Sequence, residues 1–140
     1  MATLKDLRAK YEGMDLLGVF QESISETKST ILQLVSSQIE RGQTGSGDII
    51  GVYKSKEYAD RKQDMGSLAP HGVIDLKYTG EFLHRLYLKV YPKSYLVRSW
   101  DKKNSALLRR FGTEIFELNS ENLDYYVNSV LLPTILSKIK

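Results

Sequence analysis

The feature that most constrains this chain is a long helical periodicity near the N-terminus. From Asp15 to about Arg41, apolar side chains recur every three or four residues, while charged side chains fall on the other faces. The apolar positions are Leu16, Leu17, Phe20, Ile24, Ile31, Leu34, Val35 and Ile39. This spacing predicts one long amphipathic helix, whose apolar stripe must pack against other elements. A shorter helix is predicted before it, over residues 3–12.

The stretch that follows the long helix predicts a loop and two short elements. Residues 41–48, RGQTGSGD, end the helix with three glycines. They do not form a phosphate-binding loop of the P-loop type, because such a loop follows a strand and ends in Lys-Ser/Thr. Residues 49–53 predict a short strand, and residues 55–63 predict a short helix with Ser55 as its N-cap.

A β-hairpin is predicted over residues 82–100. If residues 82–90 form a strand, one face carries an apolar set and the other carries basic and aromatic side chains. The apolar set is Phe82, His84, Leu86, Leu88 and Val90. Residues 91–94, Tyr-Pro-Lys-Ser, predict the turn, and residues 95–100 predict the return strand. A third strand is possible over residues 72–77.

The C-terminal part predicts two more helices. Asp101 is the expected N-cap of a short helix that runs through Arg110 and closes at Gly112. Asn119 or Ser120 is expected to cap a last helix, in which Pro133 should cause a kink or a restart.

These elements predict the fold class and the organisation of the chain. We expect a single α+β domain over residues 1–140, in which the long N-terminal helix and the C-terminal helix pack on a small antiparallel β-sheet. It would comprise a helical part (residues 1–41), a mobile loop region (42–72) and a hairpin with C-terminal helices (73–140). Residues 41–72 are rich in glycine and lack a continuous apolar period, so we expect them to gain order on assembly.

Composition excludes several classes of protein. The chain has no cysteine, which rules out disulfides, thiolate metal sites and a thiol nucleophile and fits a reducing compartment. No apolar run approaches the roughly 18–20 residues of a membrane span, and the N-terminus lacks a signal-peptide core. We therefore expect a soluble protein, assembled inside a cell, with no membrane partner.

The positive charge of the chain is concentrated in one segment. The net charge is +3, but residues 82–112 hold 8 basic and 1 acidic side chains. The candidate surface for a partner or for DNA consists of these eight basic residues and the tyrosine that lies between the first two of them. The residues are Arg85, Tyr87, Lys89, Lys93, Arg98, Lys102, Lys103, Arg109 and Arg110. Basic and aromatic side chains together can hold a nucleic-acid strand, can anchor a protein partner, or can form a solvated sheet face.

The sequence gives little support for a catalytic site or a metal-binding site. Neither His71 nor His84 has a second ligand at metal-binding spacing, so His84 is expected to be packed or at an interface. An enzyme acting through either histidine is the weakest of the functions considered. The acidic pairs Glu57/Asp60 and Glu114/Glu117 are expected on a solvated surface. We predict no catalytic residue, no cofactor and no metal.

The order of features resembles the small virion-morphogenesis and tail-completion proteins of tailed bacteriophages. Such proteins run from a long helix, through a variable loop, to a Leu-x-x-Thr-Gly-x-Phe/Leu signature, a strand pair, a short helix ending in Phe-Gly and a C-terminal helix. The matching pieces here are DLKYTGEFLHRLYLKV, YLVRSWDKK and LLRRFGTEIFEL, with YADRK upstream. The resemblance covers residues 38–140.

The resemblance implies a structural function. Thr79 and Gly80 would form a tight structural turn that leads into the hairpin. The protein would assemble into a homo-oligomeric ring that completes the tail or joins head to tail, in contact with portal, connector or tail proteins and non-specifically with DNA. It would be located in the virion and assembled in the host cytoplasm. The alternative is an accessory nucleic-acid-binding protein that uses the same basic, tyrosine-bearing hairpin.

Overall fold

The computed structural model describes residue 3, residues 16–77 and residues 80–139. Within this part, helices pack on a two-stranded antiparallel sheet, which confirms the predicted α+β class. The helix predicted over residues 3–12 lies outside the described residues, apart from Thr3.

The long N-terminal periodicity forms two consecutive helices, α1 (Leu16–Glu26) and α2 (Lys28–Glu40). The prediction of one continuous helix is wrong at Thr27, whose φ of −106° and ψ of 11° interrupt the helix. Its hydroxyl lies 2.8 Å from the Ser23 carbonyl and 2.7 Å from the Tyr126 hydroxyl. The apolar spacing continues across the break, because Ile24 and Ile31 are both buried.

The middle of the chain contains one helix and no strand. Helix α3 (Lys56–Asp64) begins as predicted, with the Ser55 hydroxyl accepting a hydrogen bond from the Tyr58 amide at 3.2 Å. The strands predicted over residues 49–53 and 72–77 are wrong: each range contributes only isolated bridge pairs. In the second range Leu76 has a φ of +52°, which is incompatible with extended backbone.

The hairpin is confirmed, but its first strand begins later than predicted. Strand β1 covers Leu86–Val90 and β2 covers Tyr95–Ser99, whereas residues Glu81–His84 form a helical turn, α4. A strand with one buried face cannot bury two consecutive side chains, whereas this helical turn buries both Phe82 and Leu83. His84 is consequently exposed and not packed in a strand face, so of the two positions predicted for it the packed one is wrong and the interface one stays a prediction.

The register of the hairpin divides its side chains between two faces. Leu88 pairs with Val97, and both pack in or against the core, whereas Tyr87 pairs with Arg98 on the other face. The Tyr91 amide donates to the Ser94 carbonyl at 2.8 Å, which confirms the turn over residues 91–94.

Helix α5 (Asn104–Phe111) follows the hairpin. Asp101 is not its N-cap, since Lys103 occupies that position. The Asp101 carboxylate instead accepts a hydrogen bond from the Lys103 amide at 2.8 Å, which completes a turn before the helix. Gly112, with φ 80° and ψ 178°, closes the helix as predicted. A 3₁₀ turn over Thr113–Phe116 then places Ile115 and Phe116 in the core.

The last helical region contains three continuous parts: α6 (Ser120–Tyr126), a π-helical turn (Val127–Leu131) and α7 (Leu132–Ile139). Asn119 is the N-cap, as predicted, because its side chain accepts a hydrogen bond from the Asn122 amide at 2.8 Å. The π-helical turn lies immediately before the residues around Pro133. Pro133 has no amide hydrogen to donate to the preceding turn. A change from α-helical to π-helical hydrogen bonds beside it is therefore in line with the irregularity predicted at Pro133.

The core lies between α1 and α2, the hairpin and the C-terminal region. Its largest fully buried side chains include Ile31, Ile39, Ile115 and Tyr126. Helices α1 and α2 both contact β1, and α1 also contacts α7. No helix in the described ranges is both long and apolar enough to cross a membrane.

Candidate partner-binding surface

The aromatic pair at the base of the hairpin, half-buried Tyr87 and exposed Trp100, is the centre of the candidate surface. The rings of Tyr87 and Trp100 stack with their centroids 4.3 Å apart and their planes 21° apart. The Trp100 amide donates to the Arg85 carbonyl at 2.9 Å, which continues the hairpin pairing past Ser99 and places the indole beside Tyr87. Trp100 is 72% exposed. Large aromatic side chains are enriched among the residues that dominate binding energy at protein interfaces.

Trp100 is absent from the residues that the sequence analysis selected. The available signal was that it is the only tryptophan of the chain and directly follows the basic return strand. Periodicity did not reveal its exposure, because a tryptophan at the end of a strand is as compatible with the core as with the surface.

Four of the predicted basic residues surround this aromatic pair or extend along the hairpin. Arg85 and Lys102, together with the acidic Glu81 and Asp101, line a shallow depression beside Trp100. Arg85 also forms an exposed ion pair with Glu81 at 3.2 Å. The Lys89 ammonium lies 5.6 Å from the centre of the Tyr91 ring, and Lys93 is exposed in the turn. We call Arg85, Tyr87, Lys89, Lys93, Trp100 and Lys102 the hairpin face.

The Arg98 side chain packs against its neighbours in the domain. It is half-buried, and its guanidinium lies 5.3 Å from the centre of the Phe116 ring. It also donates to the Val97 carbonyl at 2.7 Å. The Ser99 amide in turn donates to the Asn104 side chain at 3.1 Å. These contacts occupy polar groups of β2, which disfavours the addition of another strand at that edge.

The remaining basic residues lie on or next to α5 and are not part of the hairpin face. All three are exposed, and Lys103 and Arg110, but not Arg109, line a cavity between α5 and α3. The structure therefore divides the predicted basic surface into two groups with different surroundings.

A group of acidic side chains lies C-terminal to the basic segment. Glu114, Glu117, Glu121 and Asp124 are all exposed. Tyr125 and Leu123 in the same region are 52% and 42% exposed. We call these six residues the acidic face. The chain thus carries exposed aromatic and apolar side chains among charges of opposite sign in two different segments.

Of the two residues predicted to form the turn before the hairpin, the structure describes Gly80. Gly80 has a φ of +86° and precedes α4, and its carbonyl accepts a hydrogen bond from the His84 amide at 2.9 Å. Thr79 lies outside the described residues.

The His71 imidazole contacts the Asp60 carboxylate at 2.7 Å, but both side chains are about half exposed to solvent. Such an exposed pair is a weak basis for acid–base catalysis.

The part of the chain that the structure describes contains no group of three or more potential metal-binding side chains. Comparison of the chain with protein-family models, curated proteins and solved structures found no match. The site geometry and the resemblance described above are therefore the basis for a functional proposal.

Proposed function

We propose that this chain is a non-enzymatic structural protein of a tailed-phage virion, which acts in tail completion or head–tail joining by assembling into a ring. The observation that carries the proposal is the stack of exposed Trp100 on half-buried Tyr87, among the basic side chains of the hairpin face. Trp100 is 72% exposed, so a partner that covers it would gain from the burial of its apolar area.

Charge complementarity supports a second copy as one partner. The hairpin face is basic and the acidic face is exposed on the same chain. When two different faces of identical chains meet, the contact is heterologous, and it produces a ring if the rotation closes. Neighbouring portal, connector or tail proteins would bind the other surfaces, with the protein placed in the virion after assembly in the host cytoplasm.

The test is the mass of the purified chain across protein concentration and salt, measured by sedimentation velocity. We expect a closed oligomer at low salt for the wild type and its loss in Trp100→Ala. Leu68→Ala is the matched control, because Leu68 is 64% exposed and lies outside both faces. It should assemble as the wild type does.

Charge reversal identifies the faces that meet. Lys89→Glu/Lys102→Glu should weaken assembly, and so should Glu121→Lys/Asp124→Lys. A mixture of the two variants should assemble again, because the intact faces attract each other at one contact and the two reversed faces, which are also opposite in sign, attract each other at the next. Lys54→Glu/Lys56→Glu, two exposed lysines outside the hairpin face, is the control. A wild-type chain that remains monomeric at all concentrations would contradict self-assembly.

The second candidate is an accessory nucleic-acid-binding protein. The same stack favours it, because bases stack on exposed aromatic rings while cations hold the phosphates. A monomer that binds DNA with a steep salt dependence, and loses binding in Trp100→Ala, would support this function over ring assembly.

A further inference from the structure

A cavity lies on another part of the molecule, away from the hairpin face. It lies between α3, residues 74–77 and α5, and its volume is about 460 Å³. This volume is within the range of small-molecule sites, which is roughly 300–1,000 Å³. None of its described lining residues belongs to the hairpin face or the acidic face.

The base of the cavity is a buried polar network centred on Asp75. The Asp75 carboxylate accepts hydrogen bonds from the Lys62 ammonium at 2.9 Å, the Lys77 amide at 3.0 Å, the Tyr53 hydroxyl at 3.3 Å and the Ser67 hydroxyl at 2.8 Å. The side chains of Lys62 and Asp75 are only 7% and 3% exposed. Three of these donors, on Lys62, Lys77 and Tyr53, share the Oδ1 atom, whereas Ser67 bonds Oδ2, and the Lys62 ammonium supplies the counter-charge within the network.

Aromatic rings line the cavity above this network. Tyr53 and Tyr58 meet edge to face with their centroids 4.9 Å apart, and the rings of Phe82 and Phe111 also contribute to the lining. Aromatic walls with a few fixed polar groups are typical of sites that hold a flat apolar body.

The cavity carries an excess of positive charge. Its lining contains four basic side chains, Lys62, Lys77, Lys103 and Arg110, and a single carboxylate, that of Asp75. Lys77 also pairs with Glu40 at 3.2 Å. Counting Glu40, the basic groups still outnumber the acidic ones by two. The Arg110 guanidinium lies 4.9 Å from the centre of the Phe111 ring, so charge and aromatic surface are adjacent.

The backbone of the cavity wall is strained. Leu76 lines the cavity and, among the described residues, is the one non-glycine with a positive φ, at 52°. A branched apolar residue in this conformation is held there against its own preference, and such strain is concentrated at ligand-binding sites.

We propose that this cavity binds a small organic anion with an aromatic body. The rings of Tyr58 and Phe111 would contact the body, and Arg110 would pair with the anionic group. The proposal does not depend on ring assembly, because it concerns other residues and makes its own prediction for the free chain.

The test uses anilinonaphthalene sulfonate, an aromatic sulfonate whose fluorescence rises when it is bound. We expect one saturable site per wild-type chain. Arg110→Gln should weaken binding by about five- to tenfold, because it removes the charge that pairs with the sulfonate. Arg109→Gln is the matched control, since Arg109 is the exposed neighbour on the same helix and does not line the cavity. It should bind as the wild type does.

Two further measurements locate the site. N-phenyl-1-naphthylamine has the same aromatic body without the sulfonate. We expect the wild type to bind it more weakly than it binds the sulfonate, and we expect Arg110→Gln to bind it with the same affinity as the wild type. Leu107→Trp should abolish binding by filling the cavity, with circular dichroism confirming that the variant is folded. Equal affinities of the sulfonate for Arg110→Gln and Arg109→Gln, or no saturable binding to the wild type, would overturn the proposal.

Discussion

At the scale of single residues, Asp75 shows how a buried charge is held. Burial acts to raise the pKa of this carboxyl, but hydrogen bonds from Lys62, the Lys77 amide and Ser67 outweigh it and lower the pKa below the ordinary value of 3.8. Burial raises the pKa of the Tyr53 hydroxyl to about 12, so Tyr53 keeps its proton at neutral pH and donates to Asp75. The buried pair is therefore stable only while all its hydrogen-bond partners are present.

We expect Asp75→Asn to lower the free energy of unfolding by about 3 kcal/mol at neutral pH, since it leaves the Lys62 ammonium buried without its counter-charge. The native pKa of Asp75 is lowered, so its contribution is fully present above 3.8 and is lost as the pH falls through the native value. The difference between wild type and Asp75→Asn should therefore shrink in acid. Urea unfolding at about pH 7 and about pH 3 measures it.

Asp60→Asn is the control for this prediction. Asp60 also contacts a basic group, His71, but both side chains are about half exposed, so its loss should have little effect on stability. A loss of stability in Asp75→Asn at neutral pH that is as small as the one expected for Asp60→Asn would contradict the prediction.

At the scale of elements, Gln38 joins α2 to the start of the C-terminal helical region. Its side-chain amide donates to the Glu117 carbonyl at 2.8 Å, and its side-chain oxygen accepts from the Asn119 amide at 2.8 Å and from the Asn122 side chain at 2.7 Å. Gln38 is 1% exposed. It therefore positions Asn119, the N-cap of α6, against the helix that supplies much of the core.

We expect Gln38→Leu to lower the free energy of unfolding by about 2–4 kcal/mol. Leucine fits the volume but removes the partners that Gln38 supplies to the Glu117 carbonyl and the Asn119 amide, at roughly 1–3 kcal/mol each. Thermal and urea unfolding measure the change. Gln33→Leu, an exposed position on the same helix, should change stability by less than about 0.5 kcal/mol. A Gln38→Leu variant as stable as Gln33→Leu would contradict this role.

The hairpin shows where element boundaries could be predicted. The alternation over residues 86–90 correctly identifies β1 and its core face. It did not reveal that Phe82 and Leu83 belong to a helical turn, because a four-residue turn is too short to show a helical period. Gly80, with its positive φ, was the local sign that the chain changes direction there.

At the scale of the whole molecule, backbone hydrogen bonds hold the middle region together and connect it to the segments that follow it. The Tyr53 amide donates to the Gly72 carbonyl at 2.9 Å, the Ile74 amide to Gly51 at 2.9 Å and the Gly45 amide to Glu114 at 2.8 Å. The buried Lys62–Asp75 pair adds a connection between α3 and residues 74–77. The expectation that residues 41–72 gain order only on assembly stays a prediction.

Hydrogen exchange of the free chain tests this directly. From the backbone hydrogen bonds, we expect the amides of Gly45, Tyr53 and Ile74 to be protected by at least about a hundredfold before any assembly. The amide of exposed Gly47, which bonds only within its own loop at 3.0 Å, should exchange faster and is the internal reference. Exchange of all four amides at unprotected rates would favour ordering on assembly.

The candidate surface was only partly predictable, because its charge depends on the sequence whereas the exposure of its side chains depends on the tertiary structure. The excess of basic residues over residues 82–112 is a property of the sequence. Which of those side chains share a face depends on the hairpin register and on α5, and these separate Lys89 and Lys102 from Arg110. The exposure of Trp100 depends on how the end of β2 leaves the core.

The sequence by itself determined the features that depend on neighbouring residues. These are the α+β class, the helical stripe of residues 16–40, the strand pair with its turn and the caps at Ser55 and Asn119, since local periodicity and capping chemistry act over a few residues. Only the tertiary structure decided the helix break at Thr27, the burial of Asp75 with Lys62, the Gln38 network and the cavity. Each of these joins side chains that no local period relates, so they become neighbours only when the elements pack.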